Sequence, residues 1–167
     1  MIRRCNVFLH LPNATTRIWV AAPMLTDNAK DGLPNRSIND LRVLLIEDDD
    51  FTRRLMSRLL QDLKVRHVWE ASDGMAALGI LRDHAEEVDL AICDLEMPRM
   101  SGLDLLHALR TATGNPLADL PVIVLTAHRE ADTVKRAIAY GISGYLVKPV
   151  SKADLVKRLT FILQKGR

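Results

Sequence analysis

Five side chains suited to one kind of chemistry stand at the ends of short apolar runs. The acidic pair Glu47-Asp48 follows Leu41–Ile46, and Asp94 closes Leu90-Ala91-Ile92-Cys93. Thr126 follows Leu120–Leu125, and Lys148 follows Tyr145-Leu146-Val147. Each run has the pattern of a strand buried on both faces. Three carboxylates brought together repel one another unless a cation sits between them, and oxygen-only ligation favours a hard ion such as Mg²⁺. A carboxylate nucleophile needs a phosphoryl donor, a metal and a basic group to neutralise charge, and surroundings that sense the product. Asp94, the acidic pair and Lys148 supply the first parts, and Thr126 adds a hydroxyl able to bond a phosphoryl oxygen.

Helical patterns lie between the runs. The aspartates at 48–50 cap a helix whose apolar face is predicted as Phe51, Leu55, Met56, Leu59 and Leu63. Arg66–Glu70 is a short second strand, and Asp73 opens an Ala-rich helix carrying Met75, Ala76, Leu78, Ile80 and Leu81. Pro98 and Gly102 punctuate the loop after Asp94, before the helical pattern Leu103, Leu105, Leu106, Leu109. A fourth helix is predicted over Glu130–Tyr140, with Val134, Ala137, Ile138 and Ala139 inward. Ser151 caps a last helix with Leu155, Val156, Leu159, Ile162 and Leu163 as its buried stripe. Five strand–helix units of this kind imply an α/β fold, a doubly wound five-stranded parallel sheet with helices on both faces. In such sheets functional groups gather beyond the carboxyl ends of the strands, where the strand order reverses.

The chain has 167 residues, room for one full hydrophobic core. Residues 1–40 hold five basic side chains against three acids, so residues 41–167 carry 18 of each sign. That balance argues against nucleic acid as a partner. Residues 1–40 lack sustained periodicity and are expected to form a flexible extension, with residues 41–167 as the folded domain; translation starting at Met24 would fit the same pattern. Cys5 and Cys93 offer no disulfide framework and fit a reducing compartment. No apolar run approaches the roughly 18 residues of a membrane span. Asn6, His10, Pro12, Asn13 and Arg17 break up what would be a signal peptide's apolar centre. A cytoplasmic protein without a membrane association is expected.

The motifs L-L-I-E-D-D, I-C-D-L-E-M-P-R-M-S-G, V-I-V-L-T-A and G-Y-L-V-K-P, in this order and spacing, resemble the receiver domain of bacterial response regulators, of the stand-alone chemotaxis type, over residues 41–165. The resemblance implies a flavodoxin-like (βα)5 sheet with strand order 2-1-3-4-5. It also implies a signalling phosphoprotein of a two-component phosphorelay rather than an enzyme on other molecules, one that catalyses only its own phosphorylation and dephosphorylation. Asp94 would accept the phosphoryl group from a sensor histidine kinase or a small phosphodonor, and the chain would act either as a diffusible effector or as an intermediate that passes the group to a histidine phosphotransfer protein. Mg²⁺ would be bound by Asp48, by Glu47 mainly through a water, by Asp94, and by the backbone carbonyl of Glu96. Lys148, preceding a cis bond to Pro149, would contact the phosphoryl oxygens; Thr126 and Tyr145 would move together as the switch. Glu96 and His128 occupy positions that tune the lifetime of the phosphoryl group in that family.

Two other readings compete. Asp48-Asp49-Asp50-Phe51-Thr52 matches D-x-D-x-T, the nucleophile motif of haloacid dehalogenase-type phosphatases, with Asp48 as nucleophile and Asp50 as acid/base. That reading needs an acidic pair downstream of the lysine, where only Asp154 follows Lys148, and it leaves Asp94 without a role. A degenerate receiver acting as an unphosphorylated binding module is the second; the complete set of acceptor, acids, hydroxyl and lysine argues against it. Because the last helix runs almost to Arg167, output is expected through a downstream protein, on a face carrying Lys135, Arg136, Lys152, Lys157 and Arg158.

Overall fold

The computed structural model of the chain describes residues 6–9, 18–21, 36–127 and 132–165. The chain forms β1 (Asn6–Leu9), β2 (Ile18–Ala21), β3 (Arg42–Ile46), α1 (Asp50–Asp62), β4 (His67–Ala71) and α2 (Gly74–His84). It continues with β5 (Leu90–Asp94), α3 (Gly102–Thr111), β6 (Val122–Thr126), α4 (Asp132–Ala139), β7 (Gly144–Val147) and α5 (Lys152–Lys165). β1 and β2 pair antiparallel, a pairing not anticipated from their unpatterned sequence. Met24 and the polar stretch up to residue 35 lie outside the described residues.

The other five strands form one parallel sheet in the order β4-β3-β5-β6-β7, which is 2-1-3-4-5 when counted within that sheet. Its three inner strands are closed to water on both faces, so their sequences are runs rather than alternations. One face packs Leu44, Ile46, Ala91, Cys93, Val122 and Val124 against α2, α3 and α4. The other packs Val43, Leu45, Leu90, Ile92, Ile123 and Leu125 against α1 and α5.

The helices start where side-chain oxygens replace missing backbone partners. The Asp49 carboxylate accepts from Thr52 N, Asp73 from Ala76 N, Ser101 from Asp104 N and Ser151 from Asp154 N. The buried stripes of α3 and α5 match the sequence pattern, apart from a half-buried Val156. That of α1 does not: Phe51 is 72% exposed and Leu55 43%, while Met56, Ser57 and Leu60 are buried. Ser57 replaces an apolar residue in that stripe because its hydroxyl donates to Glu70 Oε1 at 2.7 Å. On α2 the buried set is Gly74, Ala77, Leu78 and Leu81, leaving Met75 and Ala76 outward. On α4 Val134 and Ala137 are buried, but Ile138 and Ala139 are exposed.

Candidate functional site

Strand register builds the site. Ile46 pairs with Cys93, so Glu47 and Asp94 stand side by side at the tips of β3 and β5. Thr126 pairs with Val147, so Lys148 follows one residue later, its amide donating to Thr126 O at 2.8 Å. Alternation along the strands puts Glu47, Asp94 and Lys148 in phase with the core face covered by α1 and α5. Thr126 and Tyr145 are in phase with the opposite face.

Lys148 Nζ donates to Asp94 Oδ2 at 2.6 Å and to Glu47 Oε1 at 2.9 Å. Glu47 is fully buried, and its Oε2, although 2.7 Å from Nζ, receives no hydrogen bond of acceptable geometry. Asp94 is 7% exposed, and its Oδ1 accepts from the Glu96 amide at 3.2 Å. Burial pushes the Glu47 carboxyl above its ordinary value; the Lys148 hydrogen bond opposes this, and the Asp94 charge reinforces it. Burial alone would lower Lys148, but its bonds to Asp94 and Glu47 outweigh that and hold the ammonium above its ordinary value.

Asp48, exposed, completes an acidic cluster: Glu47, Asp48 and Asp94 each offer a carboxylate oxygen, all within 4.8 Å of one another. A single ammonium thus serves two buried carboxylates, and a third carboxylate stands at the rim. That oxygen-only, charge-deficient arrangement fits a hard divalent cation.

Other residues singled out from sequence fall around this centre. Thr126 is buried at the tip of β6, Lys148–Pro149 is cis, and Glu96 is exposed in the loop after β5. Tyr145 is half-buried on the edge strand β7, with the Arg158 guanidinium 5.8 Å from its ring centroid and 5.9 Å from that of Phe161. Lys135, Arg136, Lys152 and Lys157 are exposed, and Lys135 pairs with Asp132 on its own helix. His128 lies outside the described residues. Cys93 is free and fully buried, and burial pushes its thiol up, so it is not a thiolate nucleophile.

Sequence reasoning passed over Arg53. Its Nη1 donates to Glu47 O at 2.8 Å and to Asp48 O at 3.4 Å, and Nη2 binds Asp50, fastening the acidic turn. An arginine on the first turns of a helix carries no pattern that would reveal its bonds to the Glu47 and Asp48 carbonyls, because backbone acceptors leave no mark on the sequence.

A five-stranded parallel sheet with an aspartate at the tip of its central strand, beside an acidic pair and a lysine, defines a doubly wound α/β domain with an acidic site at its carboxyl edge. A model of the response regulator receiver domain matches residues 43–160. The chain is 34% identical to the chemotaxis protein CheY of Pseudomonas aeruginosa over 125 residues, covering 75% of this chain and 98% of that one. It is 33% identical to chemotaxis protein CheY-3 of Vibrio cholerae over 126 residues, 75% of this chain and 94% of that one. Among solved structures, Vibrio cholerae CheY4 superposes with a TM-score of 0.66 at 29% identity, covering 74% of this chain and 98% of its own. The chain belongs to the response regulator receiver domain family. Among the described residues no helix is long and apolar enough to cross a membrane.

Proposed function

We propose that this chain is a cytoplasmic, CheY-type response regulator that receives a phosphoryl group on Asp94 and passes the signal to a protein partner. The observation that carries this is the Asp94 carboxylate at the tip of the central strand, within 2.6 Å of Lys148 Nζ and beside an acidic pair short of countercharge. In the transfer, the N–P bond of a phosphohistidine on a kinase or phosphotransfer protein breaks, a bond forms between phosphorus and an Asp94 oxygen, and the imidazole leaves. Asp48, Glu47, Asp94 and the Glu96 carbonyl would hold Mg²⁺, which when bound neutralises charge that develops on the phosphoryl oxygens. Lys148 then exchanges part of its bond to Asp94 for one to the phosphoryl group. The Thr126 hydroxyl follows the new oxygens, and Tyr145 on the neighbouring strand repacks behind it. The equilibrium between two packings of α4, β7 and α5 shifts, and with it the basic face that carries Lys135, Arg136, Lys152, Lys157 and Arg158. The chain acts on no substrate besides its own acyl phosphate.

Incubation with a radiolabelled cognate kinase or labelled acetyl phosphate tests this. Label acquired by wild type and Asp48→Asn at different rates but never by Asp94→Asn is the expected result. Label that depends on Asp48 as its attachment point would replace the reading with a phosphatase. No label from any donor, with Mg²⁺ present, would leave an unphosphorylated binding module.

A further inference from the structure

The loop between β5 and α3 is fastened at Arg99, a residue outside the acidic cluster. Asp73, 1% exposed, spends Oδ1 on the N-terminus of α2 and pairs Oδ2 with the Arg99 guanidinium. Next to this pair, the Gly74 amide donates to Met100 O at 3.1 Å. A Cβ on Gly74 would meet the Met100 carbonyl oxygen at 3.0 Å and the Met100 side chain at 2.7 Å. Arg99 itself has φ +66°, at the centre of a three-residue turn in which Met100 N donates to Pro98 O at 2.8 Å. That turn is strained for a residue with a side chain and persists only where surroundings enforce it. The pair to a buried carboxylate is such an enforcement, since releasing Arg99 would leave the buried Asp73 charge with no cation, held only by the Ala76 amide and a long bond from the Ser72 hydroxyl. At its other end the loop closes through Gly102 N to Leu95 O at 3.1 Å, and a Cβ on Gly102 would stand 2.1 Å from Asp94 O.

Resting on the receiver reading above, we propose that Arg99 is a positioning residue: its pair with Asp73 latches the loop holding Leu95 and Glu96 against the β4–α2 turn, and so sets the Mg²⁺ affinity of the acidic cluster. The latch acts through backbone placement. It touches none of the reacting atoms, and the Arg99 side chain is 69% exposed, so its removal leaves the core intact.

The test compares wild type with Arg99→Gly, which keeps the turn conformation without the side chain, Arg99→Lys, which keeps the charge, and Asp73→Asn, which keeps the helix cap. Titration calorimetry with MgCl₂ is expected to give a dissociation constant raised about tenfold in Arg99→Gly and Asp73→Asn, the lower end of what removing an outer supporting partner does. Arg99→Lys should restore most of the affinity. The double variant should be no worse than either single one, because both remove the same interaction. Labelling by acetyl phosphate should need more Mg²⁺ in Arg99→Gly yet reach the wild-type rate at saturation, and the Gly74 amide should exchange faster. Unchanged Mg²⁺ affinity in Arg99→Gly overturns the inference, whatever the amide does. Absence of Mg²⁺ binding by the wild type would instead fall on the receiver reading, and unaltered Gly74 exchange would then reject the latch separately.

Discussion

β5 carries an aspartate at each end, and the two have opposite surroundings. Asp89, just before the strand, accepts from Arg36 Nη1 at 2.8 Å, Arg42 Nε and Nη2 at 3.0 Å, and Arg42 N at 2.9 Å. Asp94, at the strand's end, shares one lysine with Glu47. Burial would raise the Asp89 carboxyl, but the bonds from Arg42 and then Arg36 outweigh it and hold the group below its ordinary value. At the other end burial wins at Glu47. An oversupplied carboxylate is a fastener, and an undersupplied pair is a site with room for one more cation.

Removing the cation at each end should break the symmetry most clearly. Lys148→Ala leaves two buried carboxylates with no countercharge and is expected to cost about 3 kcal/mol in EDTA, read from urea unfolding. Magnesium at about 100 times its dissociation constant should return most of that, since ligand binding to the native state alone contributes about 2.7 kcal/mol there. Arg42→Ala should cost less, about 2 kcal/mol, because Asp89 keeps Arg36 and a backbone amide. Magnesium should stabilise this variant as much as wild type and leave the difference between them unchanged.

Acid titration sharpens the contrast by a smaller amount. The depressed Asp89 carboxyl contributes stability that is complete above its unfolded pKa of about 3.9 and is lost as pH falls through its folded value. The Arg42→Ala penalty should therefore persist down to about pH 4 and shrink below it. Glu47 has the opposite sign: its raised carboxyl takes up a proton first as pH falls, relieving the crowded end. In EDTA the Lys148→Ala penalty should accordingly begin to fall at a higher pH than the Arg42→Ala penalty.

The sheet was legible because a strand buried on both faces has to be an apolar run. The ends of those runs therefore pointed to Glu47, Asp48, Asp94, Thr126 and Lys148 before any coordinates did. The helices were less so, since an amphipathic stripe can be misplaced by one position. Phe51 and Leu55 read as core, but the stripe on α1 runs through Met56 and Leu60 and is completed by a serine that Glu70 accepts. The partners of Arg53, Arg99 and Asp89 were illegible for another reason. They join side chains to backbone carbonyls or to acids up to 53 residues away, and nothing local records such pairings.

Glu47 and Lys148 are 101 residues apart in the chain. The ammonium reaches its carboxylates only when the edge strand β7 has docked beside β6, so this contact is among the most non-local in the molecule and cannot form early. A nascent polypeptide on the ribosome would already possess Asp94 but lack the lysine that pairs with it. The acidic cluster therefore gains its countercharge only as folding is completed, and an unfinished copy would hold its carboxylates unpaired.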